Sequence, residues 1–280
     1  MATAQLRAVE TARDVQTGSA LLLVEEDRIN QMIASALLES DGYRVTIAND
    51  GLEALEKAAL HRFDAILMDV VMPQLDGIGT TLRLRAEEGP NRTTPILALT
   101  ANTRPGDRER YLAAGMNDCL AKPFDLAMVR MVLARWIDNG SGVPEAPHAS
   151  GDVVAVPILD ESRLTGLEAR IAGPKFAAMV RAFIDNADQR LERIAESHAT
   201  GDQASLEREA HSLAGAASNV GALQLAAAAH RVEAACGTPD AAKHDVLMRE
   251  IAELRPALAA ARQALSARFL RAASAVPGAI

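Results

Sequence analysis

Six residues of this 280-residue chain are of types that could do chemistry, and five of them end or follow short β-like runs. Glu25 and Glu26 follow Ala20–Val24, Asp69 ends Ala65–Asp69, Thr100 ends Ile96–Thr100, and Lys122 follows Cys119–Ala121. Three carboxylates in one shallow site suit a hard divalent cation such as Mg²⁺, which prefers oxygen ligands and keeps several waters. Lysine adds a second positive charge and threonine a hydroxyl donor. Each residue alone has a plainer reading, since Asp and Lys-Pro commonly form turns or loops and Thr favours strands. Their joint placement at four strand ends is what points to a site. The sixth residue, His211, stands in a helical stretch with Gly215 one turn later and Ser218 at the next, so its imidazole is flanked by little bulk.

The elements that must position the first five residues are five strands alternating with helices between residues 20 and 139, the pattern of a doubly wound parallel sheet. The strand candidates are Ala20–Val24, Arg44–Ala48, Ala65–Asp69, Ile96–Thr100 and Cys119–Ala121. In such a sheet the carboxyl ends of the strands converge on one crevice, where ligands usually bind. Residues 1–19 read as a loose tail. Residues 140–157 are rich in Gly, Pro and Ser without periodicity and read as a linker.

From residue 158 to 270 every long segment has helical periodicity, and 271–280 read as a tail. Apolar residues recur at alternating spacings of four and three in Phe176–Ile194, Leu206–Val220 and Leu247–Leu265. With breakers at Gly173-Pro174, Gly201-Asp202, Gly221 and Gly237-Thr-Pro239, the segment is expected to form an all-α up-and-down bundle of four helices. A shorter helix around Glu161–Ile171 is expected to precede it. Measured from the stripe Leu206, Ala210, Leu213, Ala217 and Val220, His211 lies roughly 140° away at 3.6 residues per turn, so it is expected to face solvent.

The stretches Leu-Val-Glu25-Glu26-Asp-Arg-Ile-Asn30, Met68-Asp69-Val-Val-Met-Pro-Gln-Leu-Asp-Gly77, Leu99-Thr100-Ala101 and Ala114-Gly115-Met-Asn-Asp-Cys-Leu-Ala-Lys122-Pro123 closely resemble the response-regulator receiver family. The resemblance spans residues 20 to 138 and implies a flavodoxin-like fold. It implies that Asp69 accepts a phosphoryl group and that Glu26, Asp69 and the Val71 carbonyl hold Mg²⁺, with Mn²⁺ as an alternative ion. Glu25 would act through a bound water, Lys122 would supply charge, and Thr100 would hydrogen-bond a phosphoryl oxygen after transfer. The run Ala210-His211-Ser-Leu-Ala-Gly215-Ala-Ala-Ser-Asn-Val-Gly221 resembles the histidine phosphotransfer (HPt) domain, which implies that His211 takes the phosphoryl group on a ring nitrogen.

Three positions depart from those families: Glu26 replaces an aspartate, Cys119 an aromatic and Ala214 a lysine. With Cys119 in place, no aromatic is expected to swing against Thr100, and the receiver is expected to serve as a phosphoryl way-station. The resemblances together imply a phosphorelay protein exchanging phosphoryl groups with a sensor histidine kinase and another response regulator. It would be a carrier without a kinase module, whose aspartyl phosphate hydrolyses slowly. The competing reading is a docking or dimerising module whose bundle has lost phosphotransfer.

Bulk composition agrees with these classes. A formal charge of −8 and no basic stripe argue against nucleic acid as a partner. No apolar run is long enough for membrane insertion, and two widely separated cysteines fit a reducing compartment, so a cytoplasmic location is expected. The remaining histidines, His61, His148, His198, His230 and His244, show no spacing or acidic partner that implies a metal site.

Overall fold

The computed structural model describes residues 18–100, 106–123, 125–137, 156–171, 173–236 and 241–274. Most of the expected N-terminal tail and linker, the last six residues, Ala101, His148 and the Gly237-Thr-Pro239 breaker lie outside the described residues. The chain divides into two compact units, Met1–Asp152 and Val153–Ile280.

In the first unit β1 (Ala20–Val24), β2 (Arg44–Ala48), β3 (Ala65–Asp69), β4 (Ile96–Thr100) and β5 (Asp118–Ala121) alternate with α1 (Arg28–Ser40), α2 (Gly51–Leu60), α3 (Gly77–Ala86), α4 (Asp107–Ala113) and α5 (Leu126–Ile137). All pairings are parallel and the strand order is β2-β1-β3-β4-β5. The three central strands are buried at nearly every position, as expected when helices cover both faces of a sheet. Leu21, Leu23, Leu67, Leu97 and Leu99 point to one apolar layer, while Leu22, Val24, Ile66, Met68 and Ile96 point to the other. This alternation is the two-residue period of an extended chain. The order reverses direction between β1 and β3, which places a crevice at the carboxyl ends of those strands.

Turn chemistry aims the helices that rim this crevice. Asp27 caps α1 by accepting from the amides of Ile29 and Asn30, and Asp76 caps α3 by accepting from Gly79 N–H. Gly77 allows α3 to begin against the end of β3, because a Cβ there would meet the Asp69 carbonyl oxygen at 2.2 Å. Its amide instead donates to the Val70 carbonyl at 3.1 Å.

The second unit contains α6 (Glu161–Arg170), α7 (Gly173–Thr200), α8 (Gln203–Val220), α9 (Leu223–Cys236) and α10 (Ala241–Ser274). Each of the last four packs on its sequence neighbour and α10 returns to α7, closing an up-and-down bundle. Asp202 caps α8 by accepting from Ser205 N–H, and Gly221 ends it in the left-handed region at φ 92°. The reversal is pinned by Asp160, whose amide donates to the Gly221 carbonyl at 2.8 Å, and by Arg163, whose Nε donates to the Asn219 carbonyl at 2.7 Å. Among the described residues, no helix is long and apolar enough to cross a membrane.

Candidate functional site

The crevice at the carboxyl edge of the sheet brings together residues from β1, β3 and the end of β5 that are nearly a hundred positions apart in sequence. Lys122 Nζ donates to Glu25 Oε2 at 2.6 Å and to Asp69 Oδ2 at 2.7 Å, and all three side chains are buried. The other Glu25 oxygen accepts from Asp27 N–H at 3.0 Å and from Asn30 Nδ2 at 3.3 Å. Asp69 Oδ1 accepts from Val71 N–H at 3.3 Å, which ties the β3–α3 loop to the carboxylate.

Two carboxylates and one ammonium leave a surplus of negative charge in a medium that solvates it poorly. The surplus falls on Glu25, which burial and then the neighbouring Asp69 push up to about 8 despite Lys122. Burial favours the neutral amine of Lys122, but Asp69 and Glu25 outweigh it and hold the ammonium above its ordinary range. An added cation would relieve this imbalance, so the donor set fits Mg²⁺, which commonly binds through one or two carboxylates and retains waters. A preformed cluster of three acids was expected here. Among the described residues no group of three or more His, Cys, Asp or Glu side chains stands ready to hold a metal, and Glu26 is half-buried beside the crevice.

Thr100 is buried at the end of β4, one residue past Leu99, which pairs with Asp69, and its carbonyl accepts from Lys122 N–H at 2.7 Å. The expectation that no aromatic stands against Thr100 is overturned. Tyr111 from α4 is only 5% exposed, packs in the apolar layer with Met68 and Ala98 against half-buried Cys119, and hydrogen-bonds the Thr100 side chain. The ring arrives from the neighbouring helix α4.

In the bundle the structure corrects the placement of His211. It is 9% exposed rather than solvent-facing, because α8 packs against both α7 and α9 and so buries more than one stripe. Ala210, Ser212, Leu213, Ala214, Gly215, Ala216 and Ala217 are buried along with it. His211 Nδ1 lies 3.0 Å from Glu233 Oε1, and His230 Nδ1 lies 3.2 Å from Glu233 Oε2. His230 therefore has an acidic partner, although among the described residues no group of three or more such side chains there could hold a metal. The His230-x-x-Glu233 spacing, which places both residues on one side of a helix, was a visible signal. The approach of His211 from the next helix left no signal in the sequence. His198 and His244 also meet, with ring centroids 5.5 Å apart.

Comparison with known proteins gives two family matches. The model for "Response regulator receiver domain" matches residues 21–134, and the model for "Hpt domain" matches residues 178–264. Sensor histidine kinase AruS of Pseudomonas aeruginosa is 33% identical over 76% of this chain and 20% of its own length. Sensor histidine kinase GacS of Pseudomonas protegens is 30% identical over 79% of this chain and 24% of its own. The chain thus spans between a fifth and a quarter of these relatives. Among solved structures, the receiver domain of sensor histidine kinase PA1611 from Pseudomonas aeruginosa, which has a magnesium ion in its active site cleft, is 51% identical with a TM-score of 0.41. That match covers 43% of this chain and 98% of the other.

Proposed function

The chain belongs to the response regulator receiver family over residues 21–134 and to the Hpt family over residues 178–264, and from that premise we propose that Asp69 and His211 each carry the phosphoryl group of a two-component phosphorelay. The observation that carries this reading is the buried contact of Lys122 with Asp69 and Glu25 at 2.7 and 2.6 Å. It presents one carboxylate oxygen in a site of surplus negative charge, framed by a fixed cation.

Phosphoryl transfer needs in-line positioning and neutralisation of charge spread over three oxygens more than it needs covalent help. Lys122 supplies part of that charge and holds Asp69. Mg²⁺, with Mn²⁺ as a substitute, would be held by Glu26, Asp69 and the Val71 carbonyl, with Glu25 acting through a water. The ion would supply the remaining positive charge to the phosphoryl oxygens. Thr100 would donate its hydroxyl to a phosphoryl oxygen after transfer, and its partner Tyr111 would follow that movement. Receiver and Hpt modules are carriers rather than kinases. The expected exchange partners are a sensor histidine kinase and another receiver, and slow hydrolysis of the Asp69 phosphate would limit the signal in time. We take the receiver as residues 20–139, the linker as 140–157 and the bundle as 158–270, between tails at 1–19 and 271–280.

The test is radiolabel transfer to the full chain from a phosphorylated kinase and from acetyl phosphate with Mg²⁺, using D69N and H211Q variants. The wild-type chain is expected to gain a base-labile label that D69N lacks and an acid-labile label that H211Q lacks. A wild-type chain that takes neither label from either donor would overturn the reading.

A further inference from the structure

Two imidazoles that the phosphoryl reading does not use face each other at one end of the bundle. His198 stands in the last turn of α7 and His244 in the first turn of α10, helices that pack on each other. Their ring centroids are 5.5 Å apart and their planes differ by 26°. His198 is half-buried and His244 is exposed. Among the described residues neither ring makes a hydrogen bond or an ion pair, so in its neutral form each keeps a nitrogen lone pair that no partner uses. The backbone beneath His198 is fixed, because its carbonyl accepts from Gly201 N–H at 3.2 Å and the Ser197 carbonyl accepts from Asp202 N–H at 2.9 Å.

The distance fits simple packing of offset rings, whose centroids lie about 4.5–7 Å apart. It also fits a shared ion, because a tetrahedral centre with ring nitrogens at about 2.0–2.1 Å puts two imidazole centroids about 5.2 Å apart. Packing leaves all four ring nitrogens to solvent, whereas an ion uses one from each ring. We infer that His198 and His244 form a two-imidazole clip for a late first-row divalent ion such as Zn²⁺ or Ni²⁺, which joins the end of α7 to the start of α10. Rotation of the rings about their side-chain bonds brings one nitrogen of each to the ion, and neither helix has to move.

The donor set selects the ion. Imidazole suits zinc, nickel and copper, while Mg²⁺ prefers oxygen ligands, so the clip and the carboxylate site of the first unit take different metals. Asp202, the carboxylate of the adjoining turn, is committed to Ser205, with Oδ1 accepting from its N–H at 3.0 Å and Oδ2 from its hydroxyl at 2.6 Å. Among the described residues no third His, Cys, Asp or Glu joins the pair, so water completes the coordination. Only the folded bundle brings the two rings together, and the bound ion therefore favours the folded state.

The experiment titrates Zn²⁺ into the metal-stripped full chain by isothermal calorimetry, with excess Mg²⁺ present to occupy the carboxylate site. Changing even an outer partner of a metal ligand commonly costs about 10–100-fold in affinity, so removal of either ligand should cost at least tenfold. Zinc affinity is expected to fall by about that factor in H198Q and in H244Q, and to stay within about twofold of wild type in H230Q, which alters the other imidazole pair. Absence of zinc uptake by the wild type, or uptake unchanged in H198Q or in H244Q, would overturn the clip. A fall in H230Q as large as in the other two would also count against it, by placing the ion between α8 and α9. A second measurement needs no variant. In long-range ¹H–¹⁵N spectra of the ¹⁵N-histidine-labelled wild type, one ring nitrogen of His198 and one of His244 should move to coordinated values together as Zn²⁺ is added. Coordination of one ring without the other, or of His211 or His230 first, would sink the shared site.

Discussion

The two candidate carriers solve the problem of a buried charge in opposite ways. At the sheet edge two carboxylates share one ammonium, and the imbalance shows in Glu25, which is raised to about 8. In the bundle two imidazoles share one carboxylate, and Glu233 is lowered to about 2. The first site has surplus negative charge, which a cation from outside would offset. The second can balance an incoming positive charge on His211 with a group it already contains. The difference teaches that the receiver site should respond to divalent ions, whereas the bundle site should respond to substitutions in its own carboxylate.

The sharpest way to break this comparison is to remove the fixed cation. K122M replaces the ammonium with a side chain of similar length and leaves Asp69 and Glu25 buried without a countercharge. Removing one member of a buried ion pair costs about 3–5 kcal/mol, because the remaining charge is stranded. Urea unfolding of the full chain at neutral pH should show the first unit weakened by that order, with part of the loss restored by Mg²⁺. The bundle transition should not change with either treatment. An unchanged first transition in K122M would mean that the triad contributes no net stability and that the contrast between the sites is not electrostatic.

A backbone change at the same edge should cost somewhat less. In G77A the added methyl would point at the Asp69 carbonyl oxygen, 2.2 Å from the ideal Cβ position, and backbone cannot yield as a flexible side chain does. A loss of about 2–3 kcal/mol is expected, in the range of clashes in packed structure. Because the shift occurs at the proposed phosphoacceptor, labelling of Asp69 by acetyl phosphate should fall in the same variant. Normal labelling in a destabilised G77A would show that the site tolerates movement of the β3–α3 loop.

The contrast also explains what the sequence made legible. Four of the five strands lie within the residues expected for them, and β5 begins one residue earlier, at Asp118. Those strands are short apolar runs bounded by turn formers, and their carboxyl ends converge whenever they build a parallel sheet. Glu25, Asp69 and Lys122 therefore could be grouped from sequence alone. The bundle helices were legible from their periodicity, but the environment of His211 was not. Which faces of α8 are covered depends on the neighbours α7 and α9, and one apolar stripe does not reveal a helix buried on two sides. The same limit hid the approach of Tyr111 to Thr100, since the residue at position 119 says nothing of which side chain a neighbouring helix brings up.

Acid tests the bundle half of the comparison. The folded-state value of Glu233, about 2, lies below its ordinary 4.5, so its contribution is fully present above pH 4.5 and is lost as pH falls toward 2. The size of this contribution is on the order of 2 kcal/mol, given about 1.4 kcal/mol per unit and partial solvent screening. Asp160, Asp202 and Glu250 in the same unit are also depressed, so the informative quantity is the difference between wild type and E233Q. Wild type should lose more stability than E233Q between pH 4.5 and 2. Parallel curves would show that Glu233 gains nothing from its two imidazoles.

The smallest effect is expected at Gly221, which ends α8 at φ 92° and so supports the helix that carries His211. An alanine there must enter the left-handed region, which costs about 1–2 kcal/mol for a residue with a Cβ. The surroundings add little, because the nearest atoms to the ideal Cβ belong to Asp160 and lie at 3.4 Å. G221A should therefore lower bundle stability by about 1 kcal/mol in urea unfolding. Two turns and more separate Gly221 from His211, and the contacts of Glu233 arise from α9, so labelling of His211 should stay within about twofold of wild type. A larger fall in labelling with the same small loss of stability would show that the α8 terminus sets the orientation of the ring.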